Sequence, residues 1–298
     1  MTGHALFPKQ PPARYNTQTL DPGGEACKGP YAAVQGWMLR DRPASPGLEG
    51  SSVPHEVFGL RLAARRLLTP RVVEFQFERV DGRPFAYVPG QFVTLHFPGS
   101  EGELRRSYSI ASTTEEVAAR SIAIAVTEVP NGRACRILFG LAPGDVVQAS
   151  GPFGRFILRD DPGMDYLLVA TGTGVSPYRA MLPGLRQRLA EPGREIRLLL
   201  GVRGPEELLY GEEFLAFSRT VPAFGFIACL SRFLSDPPRD HERRGYVQEI
   251  LKSLSLDPHR HIVYLCGNPE MIDASLAYLK ALEFPLPAIR REKYLSSN

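Results

Sequence analysis

Long apolar runs are missing from this sequence. None approaches the ~20 residues that a membrane-spanning helix needs, and the N-terminus lacks the charged-then-apolar layout of a secretory signal. No membrane association is expected, and a cytoplasmic location is. An excess of one charge is missing too: 35 Lys and Arg against 32 Asp and Glu leave a net charge of +3. That is too little to argue for nucleic acid, yet compatible with an acidic protein partner. Cysteine is sparse. Cys27, Cys135, Cys229 and Cys266 include no C-x-x-C pair and no zinc or iron–sulfur spacing. No metal is expected, the scattered thiols suit a reducing compartment, and an iron–sulfur cluster in any electron path would sit on another chain.

What is present falls into three parts. Residues 1–52 are dominated by Pro, Gly, Ala and polar residues, with the linker-like run Pro43-Ala-Ser-Pro-Gly, and are expected to form a disordered extension. Over residues 53–158, apolar and polar residues alternate at Val72–Phe77, Phe92–Phe97, Ile122–Val126 and Val146–Ala149. Turn signals such as Asp81-Gly82, Pro89-Gly90 and Pro143-Gly144 separate them. Short strands spaced in this way predict a small antiparallel barrel. Over residues 159–298 the rhythm changes: apolar runs at Tyr166–Ala170, Ile196–Leu200, Phe224–Leu230 and His261–Cys266 alternate with helical stretches. That alternation predicts a parallel sheet covered on both faces, with ligands beyond the carboxyl ends of its strands. A monomer is expected.

Two segments carry candidate chemistry. In Leu104-Arg-Arg-Ser-Tyr-Ser-Ile-Ala-Ser, strand alternation puts Arg106, Tyr108 and Ile110 on one face and Ser107 and Ser109 on the other. Arg offers a fork for phosphate oxygens, Tyr a stacking face and Ser a hydrogen bond. Such a strand suits a flat ring bearing phosphate, although an ordinary strand reads the same way. In Leu168-Val-Ala-Thr-Gly-Thr-Gly-Val-Ser-Pro, Gly172 and Gly174 allow backbone to approach a pyrophosphate at a helix N-terminus, with Pro177 in the first turn. A plain strand-to-helix turn is the alternative. Arg203, then Ser231-Arg232, then Arg243, Arg244 and Tyr246 follow the later strands. Cations there suit a 2′-phosphate, where an NAD site more often places a carboxylate on the ribose; a solvated basic patch is the competing reading.

Taken in order, these segments resemble the motifs of the ferredoxin–NADP reductase family, most closely its bacterial ferredoxin/flavodoxin type. The matching stretches are Pro89-Gly-Gln-Phe-Val, Arg106-Ser-Tyr-Ser, Glu128-Val-Pro-Asn-Gly-Arg-Ala-Cys-Arg, Gly151-Pro-Phe-Gly, Ala170-Thr-Gly-Thr-Gly-Val-Ser-Pro, Tyr264-Leu-Cys-Gly-Asn-Pro-Glu-Met and Glu292-Lys-Tyr294. The resemblance covers roughly residues 55–295. It implies an antiparallel Greek-key FAD-binding β-barrel followed by a doubly wound parallel-sheet domain for NADP(H). It also implies an FAD-dependent reductase that moves electrons between NADPH and a one-electron carrier, ferredoxin or flavodoxin. By this resemblance FAD falls to Arg106, Ser107, Tyr108 and Ser109, to Ala125, Val126 and Thr127, to Arg133, Ala134 and Cys135, and to Thr173 and Tyr294. Many relatives have Ser or Thr where this chain has Cys135; a thiol is the weaker donor, and it serves equally as a small buried residue. NADP falls to Thr171, Gly172, Thr173, Gly174, Val202, Arg203, Ser231, Arg232, Arg244, Tyr246, Gly267 and Asn268. The implied catalytic set is Ser109 at the reactive flavin nitrogen, Cys266 aiming the nicotinamide, Glu292 aiding proton movement and Tyr294 covering the flavin. The chain runs past Tyr294, so a frayed tail competes with that last role. Other functions compatible with the motifs are the reductase component of an oxygenase or other multi-subunit system, an NAD(P)H–flavin reductase, and a nucleotide-binding regulatory module without catalysis.

Overall fold

A computed structural model describes residues 56–99, 102–113 and 118–294; the extension expected over 1–52 lies outside them. The first half is an antiparallel barrel. Its strands are β1 (Val57–Thr69), β2 (Val72–Arg79), β3 (Phe85–Ala86), β4 (Phe92–Phe97), β5 (Leu104–Ser109), β6 (Ala118–Ala119), β7 (Ser121–Thr127) and β8 (Val146–Phe153), with helix α1 (Arg133–Gly140) before β8. The six-stranded sheet runs β5-β4-β8-β1-β2-β7. It curls until its two edges meet: Ile110, just past β5, bridges to Ile124 on β7, and the Ala111 N–H donates to the Ala123 carbonyl at 2.7 Å. Alternation supplies the interior. Phe75 and Phe77 are fully buried while Gln76 between them is exposed, and they pack with Phe58, Leu60, Leu62, Val93 and Leu95. Each such side chain contributes on the order of 1.5–3 kcal/mol by leaving water.

The second half is a parallel sheet. Its strands are β9 (Asp165–Thr171), β10 (Ile196–Val202), β11 (Phe224–Leu230), β12 (Glu242–Arg244), β13 (His261–Gly267) and β14 (Ile289–Lys293). The helices are α2 (Ser176–Leu189), α3 (Gly211–Thr220), α4 (Val247–Lys252) and α5 (Pro269–Ala281). One face of the sheet packs with residues of α2 and α3, the other with residues of α4 and α5. That double cover explains the near-continuous apolar runs. The order β12-β11-β10-β9-β13-β14 reverses direction between β9 and β13, and that switch point is where open α/β sheets take ligands. Elements that the sequence patterns did not mark include β1, the two-residue β3 and β6, β12, which is three residues long, and β14, an edge strand in the segment where a frayed tail was the alternative. No helix among the described residues is long and apolar enough to cross a membrane.

Barrel and sheet are tied by charge as well as by apolar contact. Arg179 of α2 donates to both carboxylate oxygens of Glu213 at 2.7 and 3.1 Å and to the Ala111 carbonyl of the barrel at 2.8 Å. Its guanidinium lies 4.3 Å over the Tyr210 ring, and the Tyr210 hydroxyl donates to Glu74 of β2 at 2.7 Å. The strand alternation of the barrel and the helix of the sheet domain thus meet in one hydrogen-bonded group.

Candidate active site

The switch point and the end of β5 come together at the junction. β14 pairs with β13 in register, Cys266 opposite Glu292, so the last strand runs out directly above the Cys266-Gly267 turn. The Tyr294 N–H donates to the Gly267 carbonyl at 2.8 Å, which aims the phenol back at the barrel. There the Tyr294 hydroxyl donates to Ser109 Oγ at 2.6 Å, and Ser109 donates to Glu292 Oε1 at 3.1 Å. The Cys266 thiol is hydrogen-bonded with the same Tyr294 hydroxyl and is fully buried. Burial pushes the Cys266 thiol and the Tyr294 phenol well above their ordinary values, each raised further by nearby Glu292. Burial also raises the Glu292 carboxyl, partly opposed by the Ser109 hydrogen bond. The four residues proposed for catalysis are therefore one connected cluster in which every polar atom named has a partner.

On the face of β5 opposite Ser109, Arg106 and Tyr108 pair across to Leu95 and Val93 of β4, and Tyr108 packs against the barrel core. Tyr108 is half-buried, and its phenol is pushed above the usual range by burial, with Cys135 close enough to add to the effect. Ser107 faces the other way and shares a hydrogen bond of 3.0 Å with Thr94 on the exposed side. The structure does not bring its side chain to the Arg106–Tyr108 face. α1 begins at Arg133 with no side-chain cap, which leaves its first N–H groups free for an anion. The Cys135 thiol donates to the Thr127 carbonyl at 3.5 Å, so its side chain belongs to the packing and only its backbone N–H faces the helix start. Val126 and Ala134 belong to the barrel core and Ala125 to the cluster shared with the sheet domain.

The glycine turn after β9 has two different reasons for its two glycines. Gly172 has φ +52, and a Cβ there would meet nothing within 4 Å, which leaves its backbone open to a ligand. Gly174 is needed for a contact inside the protein: a Cβ there would lie 2.7 Å from the Cys266 carbonyl carbon and 2.8 Å from Gly267 Cα. Gly174 therefore has a packing reason of its own beside the expected one: it allows the turn to seat against β13. Thr171 Oγ1 accepts from the Asn268 N–H at 2.9 Å, while the Asn268 side chain caps α5 by accepting from Glu270 and Met271 N–H at 2.8 and 3.1 Å. Asn268 thus shapes the turn, and its side chain is committed to the helix.

Beyond Gly172 opens a cleft of about 220 Å³ lined by Gly201, Val202 and Arg203 of the sheet and by Thr69, Arg71 and Thr127 of the barrel. Arg203 is held by Glu207, with its Nε 3.0 Å from Oε2, so its charge is already partnered. Arg71 and Glu207 were missed in the sequence: Arg71 lies in the turn between β1 and β2, where the sheet domain completes the cleft, and Glu207 ends a short helical turn that brings it onto Arg203. Farther out, Ser231 and Arg232 follow β11, tied by Ser231 N–H to the Val202 carbonyl at 3.0 Å and Arg232 N–H to the Arg203 carbonyl at 2.9 Å. Arg244 pairs with Leu230. Arg232, Arg244 and Tyr246 are all exposed, the last at 58%.

Residues 60–157 match the family described as oxidoreductase FAD-binding domain, and residues 168–276 the family described as oxidoreductase NAD-binding domain. Ferredoxin–NADP reductase B of Sorangium cellulosum (strain So ce56) is 38% identical over 226 residues, which cover 73% of this chain and 88% of that protein. The chain belongs to the ferredoxin–NADP reductase family. The reductase component of propane 2-monooxygenase from Rhodococcus jostii (strain RHA1) is 29% identical over 82% of this chain, and the chain spans 65% of that protein's length. Among solved structures, the cytochrome P450 reductase GcoB of Amycolatopsis has a TM-score of 0.69 at 30% identity, covering 81% of this chain and 71% of that one. A ferredoxin NADP+ reductase from Neisseria gonorrhoeae, solved with FAD and NADP, has a TM-score of 0.68 at 22% identity over 80% of this chain and 98% of its own, which supports the fold. The protein is a flavin-dependent oxidoreductase with FAD on the barrel and a pyridine dinucleotide on the parallel sheet. The free N–H groups of α1 and the open backbone at Gly172 fit those two groups.

Proposed function

We propose that this protein oxidises NADPH and delivers the electrons one at a time to a small separate carrier, ferredoxin or flavodoxin. The observation that carries the coenzyme choice is the exposed pair Arg232 and Arg244 beside Tyr246 at the carboxyl ends of β11 and β12. Two guanidinium groups there recognise a 2′-phosphate by charge-assisted hydrogen bonds. FAD, when bound, supplies the conversion between a two-electron hydride and single electrons. The chain's own residues do the rest in this reading. Arg106 and the start of α1 hold the FAD phosphates, and Tyr108 packs on the ring. Thr171 to Gly174 hold the dinucleotide phosphates. Ser109 sits where it passes a proton between Tyr294 and Glu292, over hydrogen bonds of 2.6 and 3.1 Å. Tyr294 fills the space beside Ser109 and moves aside to admit the nicotinamide, while buried Cys266 keeps that side of the site dry.

A second reading is supported by the oxygenase reductase components among the relatives: delivery to an oxygenase or its own ferredoxin. Anaerobic stopped-flow mixing tests both. In the proposed function, NADPH bleaches the flavin faster than NADH, and oxidised ferredoxin or flavodoxin restores its colour. Bleaching by NADH alone overturns the coenzyme choice; colour that no free carrier restores moves the oxygenase reading ahead. Arg232→Ala is expected to raise the KM for NADPH by about 10- to 100-fold, the worth of a lost charge-assisted hydrogen bond, and that for NADH far less. Equal loss for both coenzymes removes Arg232 from the 2′-phosphate.

A further inference from the structure

The segment from Ser231 to His241 joins β11 to β12 mostly at the surface: Arg232, Phe233 and residues 236–240 are exposed, and its apolar anchors are Leu234, half-buried against the core, and His241, stacked on Phe226. Its two ends are held by main-chain bonds, Ser231 and Arg232 to the end of β10 and Gly245 N–H to the Leu230 carbonyl at 3.0 Å. Its middle is held by one carboxylate. Glu242 opens β12, opposite Ala228, with its side chain 0% exposed. It accepts from the Ser235 N–H at 2.9 Å, the Ser235 hydroxyl at 2.6 Å and the Arg239 N–H at 3.5 Å. A buried carboxylate is costly unless its lone pairs are met. Here the donors that meet them belong to the middle of the loop, so the loop cannot drift without exposing the charge to an unpartnered interior. The next strand residues, Arg243 and Arg244, point to solvent. One short strand therefore carries the clamp at its start and a candidate phosphate ligand at its end.

We propose that Glu242 is a positioning residue for the 2′-phosphate subsite, holding the Ser231–His241 loop so that Ser231 and Arg232 stay at a fixed spacing from Arg244 and Tyr246. This rests on the NADPH reading above. Glu242 contacts no phosphate itself; its oxygens are occupied by loop donors. The sheet beneath is packed by Cys229, Leu230 and Val247, all buried, so loss of the carboxylate loosens the loop and leaves the strands paired. The effect falls on the part of the coenzyme that distinguishes NADP from NAD and not on the shared part held at Gly172.

Calorimetric titration of the FAD-loaded full chain with adenosine 2′,5′-bisphosphate and with AMP tests this without turnover, alongside KM and kcat for both coenzymes. Glu242→Ala is expected to weaken bisphosphate binding and raise the KM for NADPH about tenfold, with AMP binding and the KM for NADH moving less than about twofold. Glu242→Gln retains one acceptor for the loop N–H groups and is expected to stay within about threefold of the parent. Unchanged bisphosphate binding in Glu242→Ala, or equal weakening of both ligands, overturns the proposal. Should Glu242→Ala fail to fold, Ser235→Ala decides by the same ratio: a bisphosphate-selective loss supports the clamp, and no selective loss overturns it. Arg232→Ala separates the two levels. If it loses no selectivity, the NADPH reading itself fails; if it does and the clamp variants do not, only the role of Glu242 fails.

Discussion

The two carboxyl-end sites of the parallel sheet are built in opposite ways. At the inner one, between β9 and β13, backbone lies on backbone: Gly174 seats against Cys266 and Gly267 with no space for a side chain, and one short side chain, the Thr171 hydroxyl, accepts from the Asn268 N–H beside it. At the outer one, between β11 and β12, an exposed loop tied at its ends by main-chain bonds is held in its middle by a single buried carboxylate. A backbone-built turn has few ways to change and suits the phosphates common to all pyridine dinucleotides. A loop held by side chains is adjustable and suits the one group that differs among them.

The largest way to break this contrast is Gly174→Ala. Its new Cβ meets main chain that cannot step aside, and overpacking of this kind costs about 3 kcal/mol. Denaturant unfolding should register that loss, and use of NADPH and NADH should fall together. A parent-like unfolding midpoint would show that the turn is not seated as described. Next in size is Ser109→Ala, which removes the hydroxyl between Tyr294 and Glu292. Flavin reduction in stopped flow should slow about a hundredfold, the lower range for a positioned proton-transfer group, with no preference between coenzymes. A change in KM alone would make Ser109 a binding residue only. The smallest effect sharpens the inner site's electrostatics. Glu292 has its carboxyl raised by burial, so the folded state holds the proton more tightly than the unfolded state. The carboxylate's burial cost is absent below the unfolded value and develops as pH rises through the folded one. Glu292→Gln should therefore gain thermal stability over the parent at neutral to alkaline pH, and the gain should shrink in acid. A gain that grows in acid would contradict the direction of the shift.

Much of this was legible in the sequence, and what was not has physical causes. The alternation at Val72–Phe77 and the apolar runs at Tyr166 and His261 are local periodicities, and they gave the barrel and the sheet. Glycine and proline marked the turn after β9, though the reason for Gly174 came from its contact with β13, which no local pattern encodes. β14 was ambiguous because its residues, Ile-Arg-Arg-Glu-Lys, form no apolar run, and its pairing with β13 arises only on folding. Strand alternation set Ser107 on the face opposite Arg106 and Tyr108, and there it meets Thr94. Glu242, Glu207 and Arg71 stayed invisible because each acquires its meaning from a partner supplied by folding: an exposed loop, an arginine one turn earlier, and a cleft between domains.

The Ser109 cluster also bears on how the molecule acquires its activity. Ser109 and Tyr294 are 185 residues apart in sequence and Ser109 and Glu292 are 183 apart. Contacts of such separation are entropically the costliest to close and belong late in folding. Neither half of the chain can assemble them alone. The barrel by itself carries Arg106 and Tyr108 but not the Glu292–Ser109–Tyr294 chain, which is a property of the completed pair of domains.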